Sequence, residues 1–370
     1  MFRQSFLYFS LILVSIIDRL ILLSQKFFQI RSLIYQSFLS SFQYKHAQLV
    51  FSMLFGEIDS FDFDLQKQFK IIGLLHVISA SGFNISLLSG VYQRFTRGKI
   101  ARKIRALGQG VLVVVYCILA ENSASVWRAG MMLLISLISR CFFYFSSRTE
   151  FNLVYAGTIL VLIRPALLES LSFQLSFLAT AGLIWLAPCF SQDSQLLDLQ
   201  TSAAIISVAD QKKNHKFSWQ SVGQSLLAYM KDSLVISIIA QAAIWPLIAN
   251  VFQKFSLLSL VANPLLLWLT PVITIGGLYW LLISCLVNAL HLSEIAQVLA
   301  WPLDLMVAFF LRLVAWLAQY DQAVIDLKSF SLSLSYLWWG GLFAYGWWWR
   351  AKRTYQAKKQ LKSGWQQLFF

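Results

Sequence analysis

Charged residues are scarce in this chain of 370 residues: they make up 12% of it, against about 25% in soluble domains. Hydrophobic residues make up 58%, and the mean hydropathy is +0.65. Because one membrane crossing takes about 20 apolar residues, the chain has room for roughly ten spanning helices. The composition therefore indicates an integral membrane protein and leaves little room for a soluble catalytic domain.

Cysteine and histidine are also scarce, with four of each. The cysteines show no CxxC spacing, and the histidines form neither an HExxH motif nor a His-rich run. We therefore predict no metal site, no cofactor, no catalytic residues and no enzymatic activity. A Ser-His-Asp triad is assembled by folding, so residue spacing alone leaves it open, but nothing in this sequence recommends one.

Apolar runs bounded by charged or turn residues predict an all-α fold, a polytopic helical membrane bundle with about ten transmembrane spans, some of them broken or re-entrant. The segment 255–293 lacks charged residues and is too long for one crossing, so it is either one span plus a re-entrant piece or two spans. The predicted spans are 6–24, 71–92, 106–120, 124–145, 151–165, 169–188, 233–250, 257–284, 298–318 and 332–349.

The chain carries 30 basic and 16 acidic residues, a formal net charge of +14. Cytoplasmic loops collect Lys and Arg, and both residues 94–105 and the tail from Arg350 onward are basic and free of acidic residues. Ten spans with a cytoplasmic N-terminus place both segments, and the C-terminus, in the cytoplasm. Of the remaining polar pieces, 25–69 is predicted to be external and 189–230 to be a mobile cytoplasmic loop.

Polar residues inside predicted spans are costly in hydrocarbon and normally face the bundle interior or a water-filled path. The first such cluster runs from Gly73 to Asn84. His76, Ser79 and Phe83 share one helical face. The small pair Ser81–Gly82 allows either close helix packing or a helix break that lines a path.

A second cluster runs from Glu121 to Met132 and places Arg128 about one turn into a predicted span, after Ser125. Arg128 either snorkels to the surface, pairs with a carboxylate or lines a path.

A third cluster runs from Glu169 to Gly182. Ser172, Ser176 and Thr180 recur every fourth residue and form a hydroxyl stripe, with Gln174 off that stripe. Interhelical hydrogen bonds are the common reason for such a pattern.

In this order, the three clusters resemble the ComEC family of membrane channels for DNA uptake in natural competence. The matching residues are His76 with Ser81–Gly82, the segment from Ser123 through Arg128 to Met132, and Ser172 to Phe177; Asn263–Pro264 and Gly56–Glu57 fit the same family. The resemblance covers roughly residues 47–290. It divides the chain into an N-terminal span and amphipathic segment (1–46), the channel domain (47–290), and C-terminal spans with a basic tail (291–370).

The resemblance implies a channel in the bacterial cytoplasmic membrane that translocates single-stranded DNA. Its implied partners besides DNA and lipid are an external DNA-delivery apparatus and a cytoplasmic motor or single-strand-binding protein; a homo-oligomer stays open. Because the family's metal-binding nuclease domain has no counterpart here, strand degradation would need a separate nuclease. The family often has a histidine where this chain has Asn84.

We therefore predict a DNA path lined by residues from all three clusters and by the pair Asn263–Pro264. Two rivals are a small-solute secondary transporter with a midplane site at broken helices and a scaffold that has lost transport. The predicted path residues are His76, Ser79, Ser81, Gly82, Asn84, Ser125, Arg128, Gln174, Ser176, Asn263 and Pro264.

Overall fold

A computed structural model describes most of the chain, and the predicted first span, 6–24, lies outside the described residues. The structure describes residues 26–56, 62–74, 78, 80–120, 123–143, 148–190, 219–252, 254–256, 258–266, 269–289, 293–320, 324–326 and 332–369.

The described chain is almost wholly helical. Its helices are α1 (26–41), α2 (Tyr44–Phe55), α3 (Phe63–Ile71), α4 (Gly82–Thr96), α5 (Arg102–Leu119), α6 (Ala124–Phe142), α7 (Thr149–Ile163), a 3₁₀ helix (Pro165–Glu169), α8 (Leu171–Phe190), α9 (Trp219–Phe252), α10 (Leu258–Leu266), α11 (Leu269–Ala289), α12 (Ser293–Leu317) and α13 (Leu332–Phe369). The one exception to the all-α prediction among these residues is a pair of three-residue strands, β1 (Lys254–Ser256) and β2 (Val324–Asp326), which are antiparallel with Phe255 opposite Ile325.

Three described helical segments are long and apolar enough to cross a membrane: Ala124–Cys141, Leu171–Phe190 and Ala296–Leu317. Three further apolar helical segments are shorter: Thr149–Ile163, Val235–Val251 and Leu269–Ser284. The prediction of about ten spans is therefore not confirmed. One reason is that the predicted span 71–92 is not one continuous helix, since α3 ends at Ile71 and α4 begins at Gly82.

The uncharged segment 255–293 divides into two helices. The nine residues of α10 are about 14 Å long, too short to cross a hydrocarbon core of about 30 Å. The 21 residues of α11 follow from Leu269. This geometry favours one crossing plus a short helix over two crossings. Asn263 and Pro264 both lie within α10, close to its end at Leu266.

The helix α2 lies within the segment 25–69, which the sequence predicts to be external, and it is buried among other helices. Ten of its twelve residues, His46 to Phe55, are buried. The seven apolar ones form part of the main hydrophobic core together with residues of α1, α3, α4, α5, α10, α11 and α12. An apolar run this short is typical of a buried core helix rather than of a complete span.

Two smaller hydrophobic clusters join helices α6, α7, α8 and α9. One lies between α8 and α9 and includes Leu186 and Ile239. The other joins α6, α7 and α8 through Ala124, Leu160 and Phe173. The predicted cytoplasmic loop 189–230 is shorter than expected, because residues 219–230 belong to α9.

Candidate functional site

The first polar cluster lies where the chain enters α4. Gly82 is the first residue of this helix, and Ser81 before it has extended backbone angles and makes no side-chain cap. The predicted helix break at Ser81–Gly82 is thus present in the structure as the start of α4. His76 and Ser79 lie outside the described residues.

The second cluster starts α6 directly beside the first. Ser123 is the N-cap residue of α6, and its hydroxyl accepts a hydrogen bond from the Val126 amide. The same hydroxyl donates to the Ala80 carbonyl over 2.8 Å. The Gly82 amide in turn donates to the Ser125 hydroxyl over 3.3 Å. Two hydrogen bonds therefore join segments that are 43 residues apart in sequence.

Small residues make this close approach possible. A Cβ atom on Gly82 would lie 2.9 Å from the Ala129 Cβ, which is closer than real Cβ contacts allow. Gly56, just after α2, has a φ of +83°, a conformation that favours glycine. A Cβ there would lie 3.3 Å from the Cβ atoms of both Ala80 and Ser123. We call this set the glycine junction: Gly56, Ala80, Gly82, Ser123, Ser125, Arg128 and Ala129.

Arg128 supplies the charge of the glycine junction. Its Nε is shielded from solvent and has no hydrogen-bond partner among the described residues. Its Nη2 lies 3.4 Å from where a Gly82 Cβ would be, so the guanidinium sits against the first residue of α4. The amino end of a helix carries a partial positive charge. The two features together favour an anionic ligand at this position.

Asn84 lies on α4 beneath the junction and is 1% exposed. Its side-chain amide donates to the Met53 carbonyl over 2.7 Å and to the Tyr116 hydroxyl over 3.0 Å. The Tyr116 hydroxyl donates to the Leu54 carbonyl. These bonds satisfy carbonyls in the last turn of α2, which otherwise lack helical partners. The described contacts of Asn84 thus hold helices together.

The third cluster begins α8. The Gln174 side-chain amide donates to the Leu168 carbonyl of the preceding 3₁₀ helix over 2.6 Å. Gln174 also borders a groove whose other lining residues are apolar: Leu153, Val154, Gly157, Val161, Leu168, Phe173, Phe177, Leu178, Ala181, Leu247 and Trp339. We call this the Gln174 groove. The Ser176 hydroxyl is buried and has no hydrogen-bond partner among the described residues.

Packing of Phe173 brings the third cluster against the second. Phe173 lies in one apolar cluster with Ala124 and Leu160, and Trp127 and Met131 of α6 pack against it. The structure therefore joins the first two clusters by hydrogen bonds and the third by apolar contact. The helix α10 that carries Asn263 and Pro264 packs elsewhere, against α9 and α12, and their side chains lie outside the described part.

The sequence analysis missed an interhelical pair of ionisable residues. His46 Nδ1 on α2 lies 2.6 Å from Asp304 Oδ1 on α12. Asp304 is an acidic residue inside the predicted span 298–318, and the cost of ionisable groups in hydrocarbon is a signal that would have found it. In the described part of the chain, no group of three or more His, Cys, Asp or Glu residues is placed to hold a metal ion.

Comparison with known protein families gives a match over most of the chain. A family model described as "Competence protein" matches residues 53–352, which is 300 of the 370 residues. The match includes the whole glycine junction, Gln174 and Asp304. Comparisons with curated proteins and with solved structures give no match.

Proposed function

Since this chain belongs to the ComEC family of competence proteins, which take part in DNA uptake for natural competence, we propose that it forms a channel for single-stranded DNA. In this proposal the strand crosses the cytoplasmic membrane of a bacterium and enters the cytoplasm. The external delivery apparatus, the cytoplasmic motor or single-strand-binding protein and a separate nuclease belong to the same proposal.

The observation that carries the proposal is the Arg128 guanidinium at the amino end of α4, whose shielded Nε has no hydrogen-bond partner among the described residues. A cation partly withdrawn from solvent without an ion-pair partner is costly, and the described carboxylates form no ion pair with Arg128. A passing phosphate would supply the missing acceptor. The planar guanidinium suits phosphate oxygens, and the partial positive charge at the start of α4 favours the same anion.

The surroundings of Arg128 fit a contact that holds each phosphate briefly. One guanidinium and one helix end offer a small number of donors, and conduction requires binding weak enough for the ligand to leave. Two serines lie close to these donors in sequence: Ser81 directly precedes the first residue of α4, and Ser125 lies three residues before Arg128. His76 and Ser79 stay predicted members of the same path.

A small-solute transporter is the second candidate. A helix that begins inside the membrane can bind an anionic group of a small solute with its positive end, and α4 together with Arg128 offers that geometry. Family membership favours DNA. Substrate-stimulated ion flux without DNA uptake would favour the transporter.

Uptake of labelled DNA into a nuclease-protected pool tests the proposal. We would compare intact cells, a deletion strain, and the deletion strain complemented with wild type, Arg128→Ala, His76→Ala or Arg312→Ala at matched membrane expression. Arg312, an exposed arginine of α12, is the matched control. We expect deletion to abolish uptake, wild type and Arg312→Ala to restore it, and Arg128→Ala to lose at least about tenfold, which corresponds to about 1.4 kcal/mol.

Two outcomes would contradict the channel proposal. The first is unchanged protected uptake in the deletion strain of a cell that takes up DNA. The second is full restoration of uptake by Arg128→Ala, which would show that the Arg128 guanidinium is not part of the path.

A further inference from the structure

The His46–Asp304 pair joins two helices of the main core. The two residues are 258 positions apart, and their side chains are 10% and 22% exposed. Asp304 lies eight residues after Ala296, the first residue of an apolar segment able to cross a membrane, which is about 12 Å along the helix. The proposed DNA path does not use this pair.

An ionisable pair at this depth has one favourable charge state. With a single shared proton the pair is neutral overall, whether the proton is on the imidazole or on the carboxylate. Losing that proton leaves a net negative charge in apolar surroundings, and gaining a second leaves a net positive charge; both are costly there. Intramembrane Asp and His pairs of this kind serve as proton relays in pumps and transporters.

Among the described residues, no neighbouring charged group forms an ion pair with either His46 or Asp304 in place of the other. Within the described residues, His46 and Asp304 are each other's only ion-pair partner. Lys45, next in sequence, is 2.8 Å from Asp62. The helices that pack against α2 and α12 carry these other titratable or charged residues: Lys26, Arg31 and Tyr35 on α1, Tyr44 on α2, Asp64, Lys67 and Lys70 on α3, Tyr279 and Cys285 on α11, and Glu294 and Arg312 on α12; α10 carries none.

We propose that His46 and Asp304 form a proton-binding site that fastens α2 to α12. The attraction between the two side chains is strongest when His46 is protonated and Asp304 is ionised, and it weakens when His46 loses its proton. Histidine ordinarily changes charge between about pH 5 and pH 8. The proton occupancy of this site therefore sets how firmly α2 is held in the core.

The position of the site links it to the glycine junction. His46 is the third residue of α2, and Gly56 follows the last residue of the same helix. Ten residues of helix separate them, about 15 Å. Because Gly56 leaves no room for more than a hydrogen beside Ala80 and Ser123, with a Cβ there only 3.3 Å from the Cβ atoms of both, a shift of α2 moves a wall of the junction.

A double-mutant cycle measured at several pH values tests the site directly. Wild type, His46→Gln, Asp304→Asn and the double variant would be purified into lipid nanodiscs without DNA, and Tm would be measured at about pH 5.5, 7 and 8.5. We expect the non-additive part of the Tm shifts to be largest at the lowest of these pH values and to shrink by at least half at the highest.

The chain offers an uncharged control pair. The Asn250 side-chain amide on α9 donates to the Ser335 hydroxyl on α13 over 2.6 Å, and neither group titrates in this range. The cycle of Asn250→Ala and Ser335→Ala should show the same coupling at all three pH values. Coupling between His46 and Asp304 that is absent, or as independent of pH as this control, would overturn the proposal.

Discussion

The glycine junction and the Gln174 groove both contain family motifs, yet they use polar groups in opposite ways. At the junction, hydrogen bonds join two helix starts, and one guanidinium nitrogen has no partner in the described part of the chain. At the groove, the single amide is exposed and bonded to the turn beside it, and the walls are apolar. In the proposed function, it is this cation, rather than the presence of a motif, that favours the junction over the groove as the place where a phosphate binds.

The largest expected effect comes from filling the junction. Gly82→Val places a side chain where a Cβ alone would lie 2.9 Å from Ala129, and overpacking of this kind costs about 1–3 kcal/mol. We expect a loss of nuclease-protected DNA uptake of at least about tenfold, since Arg128 and α4 are forced apart. Gly341→Val on α13 is the control, because nothing lies within 4 Å of a Cβ there. Equal uptake by Gly82→Val and Gly341→Val would show that DNA uptake does not depend on the close packing at Gly82.

The second effect concerns the bonds beneath the junction. Tyr116→Phe leaves the buried Leu54 carbonyl and the Asn84 amide each short of a partner, at a cost of about 1–3 kcal/mol. We expect a clear fall in Tm in detergent or nanodiscs. Thr158→Val removes an exposed hydroxyl that bonds within its own helix and should change Tm little. A similar Tm for both variants would show that the network does not support the junction.

A smaller effect is expected at the groove. Gln174→Leu removes one exposed hydrogen bond to Leu168, worth about 0.5–1.5 kcal/mol, and its apolar side chain suits the walls. DNA uptake should stay within about twofold of wild type, which is less than about 0.5 kcal/mol. An uptake defect as large as that of Arg128→Ala would place Gln174 in the path and end the contrast between the two regions.

The smallest effect is expected at the exposed ion pair of Lys45 and Asp62, at the other end of α2. The hydrogen bond from Lys45, with one from the Asp64 amide, holds the pKa of the Asp62 carboxyl below its ordinary value. Its contribution to stability is present above the ordinary carboxylate pKa and is lost as pH falls through the lowered one. Asp62→Asn should therefore lower Tm slightly near neutral pH and make no difference in strong acid. An equal effect at both would contradict this assignment.

The helix start at Ser81–Gly82 was one of two alternatives that the sequence leaves open, and the long-range pairs were not predictable. Both residues are small, which allows either close packing or a break, and the structure starts α4 there. By contrast, α2 is too short to be recognised as a span, and its burial depends on α11 and α12, more than 200 residues later. The partner of His46 is equally distant, so the sequence predicts that Asp304 needs a partner but not which one.

The measurement that tests the central claim most directly is the salt dependence of single-stranded DNA binding by the purified protein. Wild type, Arg128→Gln and Arg312→Gln would be compared in nanodiscs from low to high salt. A phosphate contact contributes about 0.7 to the slope of log affinity against log salt for single strands. We predict that Arg128→Gln reduces the slope by about that amount and that Arg312→Gln leaves it unchanged. The same slope in Arg128→Gln and wild type would contradict the claim that the glycine junction binds the phosphates of the strand.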